Sequence, residues 1–294
     1  LQRAATELGV RDEPRVARAR QCAARPRELL RGHARLAAQP GGLLPAASDL
    51  IVAAITKRRP MRVLDIACGT GDPAIAVAAA IAPADGHVTT TDLVPEMLRH
   101  AESYASRRGV TNINFQQADA EELPFADRSF DAVTCRFGLM LVPDTAKALA
   151  EIRRVLVPGT AFVGMVWGPP ERDALSSPLM AARRALGLPV TPVSDDKPHR
   201  FHYSTPGDMA TLLRAAGFTN VTEREHAIPA RFPISDDRVW ETLLQMDEAI
   251  REAVAALPAD DQAAVERHTL AAKQKSERRP GGPKAAVILV TGER

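Results

Sequence analysis

The chain has 294 residues, of which 45% are hydrophobic and 25% charged, and its formal net charge is +2 at pH 7. This length and composition suffice for a substantial buried core, and no run approaches the roughly 18 apolar residues of a membrane span, so a soluble protein is expected. The cysteines Cys22, Cys68 and Cys135 cannot all pair and form no C-x-x-C pair. This argues against a disulfide framework or a zinc site, and a reducing cytoplasm is the default location.

The first 58 residues form the only basic part of the chain and are predicted to be a helical segment. Residues 1–60 contain twelve Lys or Arg and five Asp or Glu. This charge could attract an acidic partner or nucleic acid, but the segment has no Phe, Tyr or Trp on which a base could stack. Its arginines are spread along an alanine-rich helical pattern. The preferred interpretation is therefore a solvated helix face, packed beside the sheet or a neighbouring subunit, and nucleic acid is not an expected partner.

The sequence VLDIACGTG, residues 63–71, joins an apolar run to a glycine turn. The run is short enough for a central parallel strand, and Gly69 and Gly71 lack the Cβ atoms that would keep a ligand away from the backbone. Asp72 is predicted to be the N-cap residue before a helix over residues 74–82. The turn is therefore expected at a strand's carboxyl end, where open α/β sheets bind ligands.

Two cofactor classes compete for this turn. Gly69, Gly71 and Ala74 satisfy the relaxed G-x-G-x-x-G/A pattern of dinucleotide sites, and Asp92 follows about 20 residues later, as a ribose-binding acid should. Asp65 favours the other class, because a pyrophosphate would bring negative charge to the turn, whereas the sulfonium and ammonium groups of S-adenosyl-L-methionine would be attracted to a carboxylate. With this acid, the motif resembles the first motif of the class I S-adenosylmethionine-dependent methyltransferases.

Later motifs extend the resemblance over roughly residues 59–168, with weaker similarity at residues 205–221 and in the last strand. The order, the spacing and the residues of these motifs most resemble the ubiquinone/menaquinone-biosynthesis type of small-molecule methyltransferase. The segments that carry the resemblance are VTTTDLVPEML (88–98), INFQQADAEELPF (113–125), FDAVTCRFGLMLVPD (130–144) and EIRRVLVPGTAFVGMVWG (151–168).

The resemblance implies how the cofactor would be held. Asp92 would accept hydrogen bonds from both ribose hydroxyls, Asp119 would accept one from the exocyclic amine of adenine, and Phe137 would lie in the loop under the methionine moiety. No metal site is predicted. The implied cofactor-binding residues are Asp65, Ala67, Gly69, Thr70, Gly71, Asp92, Leu93, Met97, Asp119, Ala120, Arg136 and Phe137.

The second half of the chain is predicted to provide a lid. After the cofactor-binding core at residues 59–168, a proline-rich insertion at residues 169–205 precedes a return to the core at residues 206–228. A second insertion, at residues 229–283, has apolar residues at helical spacing, and residues 284–294 provide the last, reversed strand. Two helical insertions on the carboxyl-end side of a sheet would cover a pocket.

Two histidines are the candidate catalytic residues. Methyl transfer depends mostly on positioning, but a phenolic or carbon acceptor is helped by a general base, and histidine suits that role near neutral pH. The segment KPHRFHYST, residues 197–205, places His199 and His202 just before a predicted helix that resembles the corresponding helix of the family. Either could instead be a surface or packing histidine. Cys68 and Cys135 are interpreted as packing thiols rather than nucleophiles.

We therefore predict an α/β fold with a Rossmann-like, seven-stranded, mostly parallel sheet, a reversed last strand and helical lid insertions. The predicted function is S-adenosylmethionine-dependent methylation of carbon or oxygen in a hydrophobic small molecule, such as a quinone-like compound, a polyketide or another natural product. The alternatives are a nicotinamide-dinucleotide oxidoreductase, a catalytically idle S-adenosylmethionine-binding protein and a nucleic-acid methyltransferase. A homo-oligomer is left open.

Overall fold

The computed structural model describes residues 43–190, 198–230 and 235–294. Most of the basic segment, with Cys22, and a short stretch within each insertion lie outside the described residues. The strands are β1 (Arg62–Ile66), β2 (His87–Asp92), β3 (Ile113–Gln117), β4 (Phe130–Arg136), β5 (Leu156–Trp167), β6 (Thr219–Pro229) and β7 (Lys284–Glu293). The helices are α1 (Leu43–Thr56), α2 (Ala74–Ile81), α3 (Pro95–Arg107), α4 (Thr145–Val155), α5 (Ser177–Ala185), α6 (Asp208–Ala215), α7 (Asp236–Met246), α8 (Glu248–Ala255) and α9 (Ala259–Glu277). Single 3-10 turns lie at Ala82–Ala84, Leu139–Leu141, Pro170–Arg172 and Ala174–Ser176.

The strands form one seven-stranded sheet in the order β3-β2-β1-β4-β5-β7-β6. The neighbours from β3 to β5 are parallel, and β7 lies between β5 and β6, antiparallel to both. The prediction of a mostly parallel sheet with a reversed last strand is confirmed. Because the strand order reverses beside β1, the carboxyl ends of β1 and β4 flank the place where such sheets bind ligands.

Helices cover both faces of the sheet, which explains the apolar runs of its central strands. Val63 and Leu64 occupy neighbouring positions in β1, point to opposite faces and are both fully buried. Ile51 and Ile55 of α1 pack into the same core. The edge strand β3 is mostly exposed by comparison. The loops at the carboxyl ends of β1, β2, β4 and β5 therefore project from a rigid, buried base.

The helices of the two insertions pack on one another. α5, from the first insertion, lies against α9, from the second. Ala182 of α5 is buried with Ile250 and Val254 of α8. Arg183 and Asp247 form an ion pair between the insertions, and both side chains are 13% exposed. The amphipathic helices predicted for the second insertion are present as α7 and α8, and the longer helix α9 follows them.

The start of α2 differs from the prediction. The sequence favours Asp72 as the N-cap residue, but α2 begins at Ala74 after Pro73, and no side chain caps it. The Asp72 carboxylate instead accepts hydrogen bonds from Ser48 Oγ at 2.7 Å and from Arg136 Nη1 at 3.0 Å. In this buried setting the guanidinium compensates the charge of the carboxylate, which a neutral helix N–H cannot do, so the ion pair prevails over capping.

Gly71 has a packing role that the sequence did not indicate. Its φ is +102°, and a Cβ at this position would lie 2.8 Å from Ile75 Cδ1 and 2.9 Å from Ala101 Cβ. The expectation that its missing Cβ leaves room for a cofactor is therefore wrong, because the space is taken by α2 and α3. At Gly69, where φ is +55°, a Cβ would meet no atom within 4 Å. The expectation that a missing Cβ leaves room for a cofactor therefore stays a prediction for this glycine.

Gly71→Ala should destabilise the fold, because the added methyl group would collide with two helices while the residue keeps a positive φ. We expect the free energy of unfolding to fall by about 2–4 kcal/mol in urea titrations. Gly109→Ala is the matched control, because φ is +67° there and the surroundings are open. The control should lose only about 1–2 kcal/mol. Equal losses in the two variants would contradict the packing role.

Candidate active site

The loop that follows β1 turns sharply through left-handed backbone. Cys68 N donates to Thr91 O at 2.9 Å, and Gly71 N donates to Cys68 O at 3.0 Å. Ala67 has φ +56°, which is uncommon for a residue with a Cβ and costs of order 1 kcal/mol. Close packing against the loop after β4 holds it there, since a Cβ on Gly138 would lie 2.6 Å from Ala67 Cβ. The two loops therefore form one unit.

Asp92 clamps this loop to the end of β2. Its Oδ2 accepts a hydrogen bond from Gly69 N at 2.8 Å, and its Oδ1 accepts one from Val94 N at 2.9 Å. A carboxylate can accept more hydrogen bonds than these two, so the clamp is compatible with binding ribose hydroxyls. Ribose binding by Asp92 stays a prediction. Thr70, also a predicted contact, is only 8% exposed within the loop.

The other predicted contacts of the adenosine lie where β2 and β3 end. Ala118 N donates to Asp92 O at 3.2 Å, which joins the two strand ends. Asp119 Oδ1 accepts a hydrogen bond from Glu121 N at 2.9 Å, so its carboxylate is fixed in a turn. Leu93 is 41% exposed and presents an apolar surface beside Asp92. The half-buried predicted residues around it are Met97, Asp119 and Ala120.

Asp65 lies beneath the loop rather than on its surface. The residue is 0% exposed, and its carboxyl accepts hydrogen bonds from Thr134 Oγ1 at 2.5 Å and Thr90 Oγ1 at 3.3 Å. Burial raises the pKa of this carboxyl to about 7, although the Thr134 bond and the charge of Arg136 act in the opposite direction. The described geometry gives Asp65 no surface for direct contact with a cofactor. Any attraction of a cationic group by Asp65 would therefore act through space.

A buried ion pair joins α1, the loop after β1 and the end of β4. The side chains of Arg136 and Asp72 are 7% and 14% exposed. Arg136 Nη1 also donates to Ser48 Oγ at 2.7 Å and to Leu44 O at 2.9 Å, while Nη2 donates to Asp72 O. Its Nε is buried and has no hydrogen-bond partner in the part of the chain that the structure describes. Sequence reasoning named Arg136 as a cofactor contact but missed this network, whose members are far apart in the chain.

Aromatic rings and a guanidinium form a stack at the carboxyl ends of β4 and β5. The rings of Phe137 and Trp167 are nearly parallel, at 7°, with their centroids 4.3 Å apart. The guanidinium carbon of Arg200 lies 4.1 Å from the Trp167 ring centroid. At these distances the two partners must cover opposite faces of the indole. Buried Asp173 accepts a hydrogen bond from Arg200 Nη2 at 2.7 Å, so neither face of Trp167 is open to a ligand.

The two candidate catalytic histidines lie in a turn beside this stack. Their ring centroids are 5.5 Å apart. Tyr203 OH donates to Thr145 Oγ1 at 3.0 Å, which ties the turn to the start of α4. The structure thus brings His199 and His202 to the carboxyl-end edge of the sheet, near Trp167. Their catalytic role stays a prediction.

Burial makes the two described cysteines poor nucleophiles. Cys68 and Cys135 are 3% and 1% exposed. Burial raises the pKa of the Cys68 thiol well above its usual range and that of Cys135 to about 12. Because the thiolate is the reactive form, these values agree with the interpretation as packing groups.

Residues 43–190, 198–230 and 235–294 contain neither a candidate metal site nor a candidate membrane span. These residues contain no group of three or more His, Cys, Asp or Glu side chains that could hold a metal ion. No helix among them is both long enough and apolar enough to cross a membrane.

Comparisons with known proteins assign the chain to a family. The profile of the ubiE/COQ5 methyltransferase family matches residues 47–189. A protein of Methylobacterium nodulans named ubiquinone/menaquinone biosynthesis C-methyltransferase UbiE is 34% identical over 194 residues, which cover 63% of this chain and 77% of the relative. The chain belongs to the ubiE/COQ5 methyltransferase family. A Serratia proteamaculans protein of the same name is 37% identical over 178 residues, covering 56% of this chain and 69% of the relative.

Membership confirms the predicted enzyme class and cofactor. The chain is an S-adenosylmethionine-dependent methyltransferase, and the alternative of a dinucleotide oxidoreductase is wrong. The glycine turn and Asp92 alone satisfied both patterns, so they could not have separated the two classes.

Solved structures share the fold of this methyltransferase. The YcgJ protein of Bacillus subtilis superposes with a TM-score of 0.52 at 24% identity, covering 84% of this chain and 97% of that one. A Bacillus halodurans protein gives 0.51 at 21% identity, with coverages of 85% and 98%. At these identities the likeness concerns the fold alone.

Asp92→Ala should weaken cofactor binding, because it removes the proposed acceptor of two ribose hydroxyls and the clamp on Gly69. We expect the affinity for S-adenosylhomocysteine, measured by isothermal titration, to fall roughly tenfold or more. Glu102→Ala, at an exposed acid of α3, is the control. For an analogue without ribose hydroxyls, the substitution should lower the affinity by a smaller factor than for S-adenosylhomocysteine, because only the clamp on Gly69 is then lost. A folded Asp92 variant with unchanged affinity for S-adenosylhomocysteine would contradict the assignment.

Asp65→Asn should change how stability depends on pH. A raised pKa means that the folded protein favours the protonated carboxyl, so its favourable effect is complete at low pH and declines as pH rises from about 4 to about 7. The amide mimics the protonated form and does not titrate. Relative to the unaltered protein, the variant should therefore gain on the order of 3 kcal/mol across this range. Asp49→Asn, at an exposed position of α1, is the control, and parallel stability curves for Asp65→Asn and the unaltered protein would refute the effect.

Proposed function

We propose that this methyltransferase methylates a ring carbon of a hydrophobic, quinol-like aromatic small molecule. The observation that carries the proposal is an aromatic and apolar wall at the carboxyl ends of β4 and β5, with imidazoles beside it. Its apolar residues are Phe137, which is supported from behind by the covered Trp167 ring, and Leu141, which is 49% exposed in the turn that follows β4. The relatives that are named C-methyltransferases of ubiquinone and menaquinone biosynthesis support carbon rather than oxygen as the acceptor atom.

The residues of the glycine loop fit S-adenosylmethionine. The open space at the Cβ position of Gly69 would let the cofactor approach the backbone, and the exposed side chain of Leu93 offers an apolar surface for adenine. Asp92, fixed between two backbone N–H groups, would bind the ribose. The buried Nε of Arg136 is a charged donor suited to the cofactor's carboxylate. When bound, the cofactor supplies an electrophilic methyl group on a sulfonium sulfur.

The chain's own residues would then orient the acceptor and manage its proton. A ring carbon that gains a methyl group must lose a proton to regain aromaticity. His199 and His202 are the candidate proton acceptors, because they lie beside the wall and imidazole titrates near neutral pH. Holding the ring in line with the methyl group, at about 3–3.5 Å, is expected to supply much of the rate enhancement.

The two insertions are proposed to form a lid over the acceptor, around a core of residues 59–168, 206–228 and 284–294. Their helices pack on each other, and Arg200 of the first insertion lies on Trp167. The family profile ends at residue 189, so the second insertion lies beyond it. Differences in acceptor from other family members are therefore expected to arise from this lid.

The purified protein should methylate a chemically reduced, prenylated naphthoquinol that has one unsubstituted carbon on its quinol ring. Mass spectrometry and NMR should show one added methyl group on that carbon. The same naphthoquinol with that carbon already methylated is the control and should give no product. Isothermal titration should show binding of S-adenosylmethionine and no binding of NADH.

The outcomes separate the parts of the proposal. A product methylated on oxygen would overturn the choice of carbon. Cofactor binding without turnover of any naphthoquinol or benzoquinol would overturn the acceptor class, while methyl transfer to RNA in place of a quinol would favour the nucleic-acid alternative.

A further inference from the structure

The turn formed by residues 199–203, here called the histidine turn, connects the first insertion to the core. Backbone hydrogen bonds from His202 N to His199 O at 3.0 Å and from Ser204 N to Phe201 O at 3.1 Å close it. Phe201 and Tyr203 pack against the main hydrophobic core. The turn is therefore docked on the core, and two anchors determine where its imidazoles lie.

The first anchor is on β5. The Arg200 guanidinium rests on the outer face of the Trp167 indole and donates to Asp173, which is 2% exposed. Ser176 Oγ donates to the same carboxylate oxygen at 2.6 Å. A buried carboxylate with two donors holds the guanidinium in a fixed orientation. This contact places one end of the histidine turn over the carboxyl end of β5.

The second anchor is on the loop that follows β4. Tyr203 OH donates to Thr145 Oγ1, and Thr145 is the first residue of α4 and only 4% exposed. Tyr203 also has φ +64°, a conformation that costs of order 1–2 kcal/mol for a residue with a Cβ. Its phenol bond and packing must offset that cost. An arrangement kept at a cost in backbone energy is a reason to look for a functional role.

The two histidines of the turn differ in what their rings do. His199 Nδ1 accepts a hydrogen bond from Phe201 N at 3.2 Å, so this ring helps to shape the turn. The ring of His202 instead stacks on Tyr203, with centroids 3.9 Å apart at 17°. Its Nδ1 is buried and has no hydrogen-bond partner among the described residues. A buried imidazole nitrogen without a partner is costly, and an acceptor hydroxyl would satisfy it.

We propose that His202 is the residue that contacts the acceptor and that Tyr203 is its positioning residue, acting through the ring stack and the bond to Thr145. The inference rests on the proposed function and deepens it, because it separates the two candidate histidines. His202 Nδ1 would bind a hydroxyl of the quinol and receive its proton as the ring carbon is methylated. The electron pair left on the oxygen would move into the ring, so that the oxygen becomes a carbonyl and the ring carbon forms the new bond to the methyl carbon. The bond between that methyl carbon and the sulfonium sulfur would break, with its electrons staying on sulfur. The methylated carbon then loses its proton while the carbonyl oxygen gains one, which restores the hydroxyl. The proton that His202 received is released to solvent, so one proton leaves overall.

The test uses Tyr203→Phe, which removes the phenol oxygen and keeps the ring that stacks on His202. With the naphthoquinol as acceptor, kcat should fall about tenfold, and KM for S-adenosylmethionine should not change. His202→Ala should lower kcat about 10²-fold. If Tyr203 acts through His202, the double variant should match His202→Ala within about twofold. Tyr104→Phe, at the chain's other tyrosine, is the matched control and should keep full activity.

Additive losses in the double variant would overturn the positioning role, and so would full activity in Tyr203→Phe. A loss in His199→Ala that equals or exceeds the loss in His202→Ala would overturn the choice between the histidines. Nitrogen-15 spectra of the histidine rings give a readout that needs no turnover. Tyr203→Phe should shift the ring nitrogens of His202 and leave those of exposed His268 unchanged. Unchanged His202 signals would contradict the inference even if the naphthoquinol proved to be the wrong acceptor.

Discussion

The buried ion pair between Arg136 and Asp72 is the interaction on which the geometry of the site depends. It holds the first helix, the glycine loop and the end of the fourth strand at one point. Removal of one partner from a buried pair typically costs about 3–5 kcal/mol, because the other charge is left uncompensated in a low dielectric. None of the three segments can shift alone without breaking these bonds. The pair therefore fixes the loop against the sheet before any ligand arrives.

From that point an aromatic stack extends the rigid region toward the first insertion. The Arg136 guanidinium carbon lies 5.7 Å from the Phe137 ring centroid, and Phe137 stacks on Trp167, which in turn carries Arg200. Each end of the stack is a cation paired with a buried acid, and the middle is apolar. Such an arrangement links the glycine loop to the histidine turn through continuous contacts. Preorganisation of this kind suits a reaction in which orientation contributes much of the rate.

The parts of the fold that were predictable are those written in local patterns. The apolar run before Gly69 and the acid at the end of β2 predict a strand, a turn and a cofactor loop. Each of these structures depends on a few neighbouring residues, so a local pattern is enough to predict it. The packing requirement at Gly71 was not predictable, since it arises from Ala101 on another helix. Local reasoning also assigned Asp72 to helix capping. The actual partner, Arg136, lies 64 positions away, and no periodicity reports such a distance.

The same limit applies to the site. Sequence position brought the two histidines of the turn to the correct edge of the sheet, but it could not distinguish them. The distinction lies in Phe201 N, which bonds to His199, and in Tyr203, whose ring covers His202. The position of the Tyr203 ring is set by its left-handed backbone and its tertiary bond to Thr145.

The position of β7 in the sheet has a consequence for how the second insertion can move. β6 and β7 flank that insertion in the chain and pair with each other along most of their length. The insertion is therefore a loop whose two ends are fastened side by side into one sheet, and not a flap hinged at one end. Closing such a long loop carries an entropic cost that grows only slowly with its length. While β6 and β7 stay paired, the helices of this insertion can tilt or slide relative to the sheet but cannot swing away from it.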